Sequence, residues 1–139
     1  MKISIYKVFS RIDSNANTNG KSVILKSDIE GSEFEVIDEI VNYSNRIDAL
    51  IFEFHWLDKN EEVFLESVRK LQKFFDIAHI HGNNHCEKLN TGLPITLEMT
   101  LINKKYSPKN PESVNSFPIE GLDHPNNPTK NDLFFNFSS

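Results

Sequence analysis

Three short stretches hold most of the side chains able to move a proton or grip a polar ligand. They are Asp28-Ile29-Glu30-Gly31-Ser32-Glu33, Glu53-Phe54-His55-Trp56 and His79-Ile80-His81-Gly82-Asn83-Asn84-His85. An imidazole titrates near neutrality and suits general acid–base work, while a neighbouring carboxylate can orient it or share a metal with it. Glu53 stands out because Leu50, Ile51, Phe52 and Phe54 surround it in the chain. A carboxylate in so apolar a run needs a partner. His81, beside a Gly-Asn-Asn turn, is a better functional candidate than His79, which reads as a core histidine. Asp28 and Glu30 can act at a site or favour the dipole of a following helix, and for Glu33 the dipole role is preferred. His85 and Cys86 read as surface residues, and Trp56 as a packing residue at a strand end. Asp28, Glu30, Glu53, His55, His81 and His85 could converge on a divalent metal, but no spacing matches a zinc-finger or zincin pattern.

The hydrophobic pattern says what positions these residues. Ile3–Phe9 alternates like a strand and is followed by a polar loop through Gly20. Val23-Ile24-Leu25 reads as a strand buried on both faces. Ser32, with Glu35 three residues on, reads as a capping box opening a helix whose inner face is Phe34, Ile37, Ile40 and Val41. Ala49–Phe54 is a second strand. A helix from near Asn60 follows, with the stripe Phe64, Val68, Leu71 and Phe75. Ile77–His81 is a third strand, and Ile95, Leu97, Met99 and Leu101 mark a half-buried fourth. The order β-α-β-α-β-β predicts an α/β fold, parallel with a terminal antiparallel hairpin. In such sheets ligands bind beyond the carboxyl ends of the strands, where the three stretches lie. Glu53 with His55, and His79 with His81, share a strand face at period two.

The chain of 139 residues allows one domain, with 38% hydrophobic and 25% charged residues. Residues 1–103 hold 11 basic and 16 acidic side chains, the whole net charge of −5, and residues 104–139 hold four of each. An acidic body without a basic stripe argues against nucleic acid and against a membrane surface. One cysteine, no secretory leader and no long apolar run point to the cytoplasm. Residues 107–139, rich in Pro and Asn, read as an extended tail pinned by Phe117, Leu122 and the Leu133–Phe137 cluster.

The segment Leu25-Lys26-Ser27-Asp28-Ile29-Glu30-Gly31-Ser32-Glu33-Phe34-Glu35-Val36-Ile37 resembles the Asp-x-Glu-Gly-x-Glu region of FkbM-type methyltransferases, which use S-adenosylmethionine. The resemblance runs on through Ile51–His55, His79–Asn84, Leu93–Thr100 and Leu122–Pro128, covering roughly residues 22–137. It implies a partial Rossmann-like methyltransferase sheet, with residues 22–106 matching the fourth to seventh strands. Residues 1–21 contain no Gly-x-Gly, so the cofactor-binding first half of that domain is missing from this sequence. It further implies O-methylation of a hydroxyl on a saccharide or small metabolite. Asp28 and Glu30 would then border the cofactor, His81 or His55 would act as base, and Glu53 would orient the acceptor or the base. The alternatives are a non-catalytic half-domain that associates with another chain, a complementing N-terminal half or a second copy, and a metal-binding carboxylate–histidine site.

Overall fold

The computed structural model describes residues 4–136, and these form a mixed α/β fold. Ile5–Asp13 is a helix, α1. β1 (Val23–Ser27) leads through a 3-10 turn into α2 (Ile37–Asn42). β2 (Ile47–Phe54), α3 (Leu57–Leu71), β3 (Phe75–Gly82) and β4 (Leu97–Asn103) complete the body. The sheet order is β1-β2-β4-β3. β1 and β2 run parallel, whereas β4 runs antiparallel to both β2 and β3. The expected hairpin of β3 and β4 is present, and β4 also separates β3 from β2.

One face of the sheet carries the core. Leu50, Phe52 and Phe54 of β2 lie opposite Leu101, Met99 and Leu97 of β4. Ile37 and Ile40 of α2 and Phe64 and Leu71 of α3 belong to the same buried cluster, where Phe54 meets Phe64 edge to face at 5.2 Å. β4 shows the half-buried alternation that its sequence predicts, with Leu97, Met99, Leu101 and Asn103 inward. Asn103 is a buried polar exception, and its amide donates to the carbonyls of Ser44 and Ile47 at 2.8 and 2.9 Å.

Several expectations are corrected. Within the described residues the N-terminal segment is helical, not a strand, because Ile5, Phe9 and Ile12 share one helical face. Ile5 and Phe9 are buried, and Phe9 stacks on Tyr43 at 4.6 Å. Ile3 lies outside the described residues. β1 is not buried on both faces: it is an edge strand, and Ile24 is 69% exposed. Ser32 makes no capping hydrogen bond from its side chain, so the capping box is absent. α3 starts at Leu57 rather than Asn60, where the backbone instead kinks (φ −128°). Phe75 belongs to β3, not to the α3 stripe.

The tail folds back over β3 and β4. β5 (Ser116–Phe117) and β6 (Phe135–Asn136) pair antiparallel, with Phe117 and Phe135 stacked at 5.5 Å. The side chains of Leu122 and Phe134 are exposed rather than buried as anchors, though the Phe134 carbonyl accepts from Lys88 at 2.8 Å, and Phe137 lies outside the described residues. Polar contacts take their place. Buried Asn84 accepts from the Asn127 amide at 2.6 Å and donates to its carbonyl at 2.9 Å. His79 meets Asp123 at 3.0 Å, and Asn126 donates to Glu98 at 2.6 Å. His81 faces Asp132 of the tail at 3.0 Å and Glu98 of β4 at 3.4 Å.

These contacts make the tail sensitive to pH. Burial disfavours a charged His81, but the Asp132 hydrogen bond and charge, the Asp123 charge and the Glu98 hydrogen bond outweigh it. Its pKa therefore lies above the ordinary 6.5. A raised pKa contributes stability that is complete below the unfolded value and fades as pH rises through the folded one. The melting temperature of the native chain minus that of His81→Gln is expected to be largest near about pH 6 and to shrink towards about pH 9. A difference that is flat or growing over that range would contradict this account.

Candidate functional site

At the carboxyl ends of the parallel pair, the loop after β1 and the first residues after β2 close on each other. Gly31 makes this approach possible. Its φ of +96° is one that favours glycine, and the Trp56 ring lies against it where a Cβ would overlap. Glu30 and Trp56 both hold φ near +53°, the left-handed region that costs a side-chain-bearing residue roughly 1–3 kcal/mol. Two such residues facing one cleft mark it as a place where the surroundings dictate the backbone.

Glu33 is the hidden member of the cluster. It is fully buried in the turn before α2, and its Oε1 accepts from the Ile29 amide at 3.0 Å. The same oxygen lies 2.9 Å from Nδ1 of His55. A carboxylate oxygen only accepts, so the ring carries its proton on Nδ1. Nε2 is thereby turned outward, 3.8 Å from Asp28 Oδ1 and 3.8 Å from Glu30 Oε2. Burial works against a charged His55, but the Glu33 hydrogen bond and the charges of Glu33, Glu53 and Glu30 outweigh it and raise its pKa. Glu53 comes from β2 itself, and its Oε1 accepts from the Asn83 amide at 2.8 Å. This is the partner that an acidic side chain in an apolar strand requires.

Asp28, Glu30, Glu53 and His55 thus stand together. Asp28, Glu53 and His55 each offer a ligand atom, and these atoms lie within 4.8 Å of one another. His81 does not join them through a direct contact. It is linked to Glu53 only along the strand register, through Glu98, and both of its ring nitrogens face carboxylates. Both nitrogens are thus engaged by carboxylates, away from the cleft at His55. His85 is exposed, and Cys86 is half-buried with its sulfur 3.4 Å from the Thr96 hydroxyl.

Sequence reasoning missed the roles of Glu33 and Asn83. For Glu33 a signal existed, since it closes the Asp-x-Glu-Gly-x-Glu segment, but a helix dipole explained it well enough alone. For Asn83 only the strand-end turn pointed to it. Asp132, which holds His81, lies 51 residues further along and gives no local signal.

Removing the buried carboxylate leaves the Ile29 amide and the His55 Nδ1–H without an acceptor. Glu33→Ala is expected to lower unfolding free energy by about 3 kcal/mol, and Glu33→Gln, which keeps an acceptor, by less. Urea denaturation of the three proteins measures both, and equal stability of Glu33→Ala and the native chain would show that the contact is energetically idle. Searches against protein-family models, curated proteins and solved structures found no match for this chain.

Proposed function

We propose that this chain carries an S-adenosylmethionine-dependent methyltransferase site of FkbM type, acting on a hydroxyl of a saccharide or small metabolite. The observation that carries the reading is the convergence of Asp28, Glu30, Glu53 and His55 at the carboxyl ends of a parallel strand pair. The motif residues Asp28, Glu30 and Glu33 stand on two sides of His55. Asp28 and Glu30 face the cleft, and Glu33 stands behind it as the support of His55. The strand directions, including the antiparallel closing pair, agree with those expected for the last four strands of such a domain.

In this reading Asp28 and Glu30 border the cofactor's charged end, and Glu53 with His55 receives the acceptor hydroxyl. Methyl transfer is an in-line displacement at a sulfonium carbon, so the protein's main task is to hold the two reactants in line. The Glu33 hydrogen bond to His55 and the Asn83 hydrogen bond to Glu53 serve that task by fixing the acceptor-facing groups.

Calorimetric titration with S-adenosylhomocysteine tests the reading. Saturable one-to-one binding, weakened at least tenfold by Asp28→Asn, is expected. No binding by a demonstrably folded chain would overturn the proposal.

A second reading is favoured by the sheet's uncovered side. Ile24 of β1 and Ile51 of β2 are exposed, and among the described residues no strand pairs with the outer edge of β1. Such an edge can take a further strand, which fits a half-domain completed by another chain or a second copy. Sedimentation should then show self-association that Ile24→Lys weakens, and a monomer at all concentrations would remove the self-association form of this reading.

A further inference from the structure

We propose that Asp28, Glu53 and His55 bind one divalent first-row metal ion, such as manganese or zinc. Among the described residues they are the one set of His, Cys, Asp and Glu side chains close enough to do so. The inference goes beyond methyl transfer and does not rest on it, because an ion would bind these residues whatever reaction follows.

The histidine carries the argument. Its side chain is only 10% exposed, and no protein group within hydrogen-bond distance meets Nε2. With the proton fixed on Nδ1, Nε2 of the neutral ring presents a lone pair to two carboxylate oxygens 3.8 Å away. Negative oxygens on this side favour positive charge at Nε2, and a divalent cation bound there would displace the proton that otherwise supplies it. At 3.8 Å the separation is too long for a hydrogen bond. It suits a shared ion, since two ligands each about 2.1 Å from a metal lie roughly 3.0–4.2 Å apart.

The surroundings agree. Metal-bound histidines commonly donate their other ring proton to a carboxylate, which fixes the tautomer and raises the ligand's basicity. Glu33 does this from a fully buried position. Asn83 steadies one oxygen of Glu53 and leaves the other available. Asp28 is exposed and can rotate to close a set whose atoms already lie within 4.8 Å. Two carboxylates and one imidazole leave coordination positions for water or a substrate oxygen, and this mixed donor set favours manganese, iron or zinc over calcium.

Manganese titration followed by electron paramagnetic resonance tests the proposal on the whole chain, because the signal of free manganese falls as the ion binds. One ion per chain is expected. Asp28→Asn and Glu53→Gln should each weaken binding at least tenfold, while His85→Ala, on an exposed loop residue, should leave it unchanged. Both test variants keep the side-chain shape, and their melting curves check that they fold. No binding by the folded native chain, or binding that neither substitution weakens, would overturn the inference. Manganese binding without S-adenosylhomocysteine binding would support this inference while the methyltransferase reading falls. The reverse result would overturn this inference alone.

Discussion

A carboxylate withdrawn from water needs donors, and Glu33 finds two on one oxygen: the Ile29 amide and the His55 ring. Those donors belong to different segments, the loop leaving β1 and the end of β2. Their shared acceptor therefore fixes the distance between the two segments, and with it the cleft where Asp28, Glu30 and Glu53 gather. Glu33 Oε2 is buried without a hydrogen-bond partner. Such a group is costly to bury, so the contact made by Oε1 has to hold the loop closed against that cost.

The same economy of partners governs the other end of the sheet. His79 and His81 lie on the face that the tail crosses, and each meets an aspartate from the tail. The two sites thus use imidazole differently. At His55 one nitrogen is held and the other is left facing the cleft. At His81 both nitrogens are taken, one by Glu98 of β4 and one by Asp132 of the tail, so the ring ties that segment to the sheet. The chemistry of an imidazole is decided here by how many of its nitrogens the fold consumes.

The middle of the chain was the most legible part of the sequence. Leu50, Phe52 and Phe54, then Leu97, Met99 and Leu101, alternate because each strand has one face on the core. Ile37 and Ile40 fall on the buried face of α2 for the corresponding helical reason. α1 was misread because a short alternating run fits a strand as well as a helix, and only the contact of Phe9 with Tyr43 decides between them. β1 was misjudged because apolar content does not reveal whether a neighbour exists to cover it. At the site, strand-end position and period two gathered Glu53, His55, Asp28 and Glu30 correctly. The separation of His81 from them follows from β4 lying between β2 and β3, a strand order that no local pattern encodes.

Trp56 gives the cleft a built-in reporter. It is the only tryptophan in the chain, 46% exposed, with its ring centroid 6.1 Å from that of His55. Its indole rests on Gly31 on one side and meets water on the other. Excited at the red edge of its absorption, where the three tyrosines absorb little, it emits as a single chromophore at the mouth of the cleft. A change in its colour or intensity reads what happens beside His55 without a label.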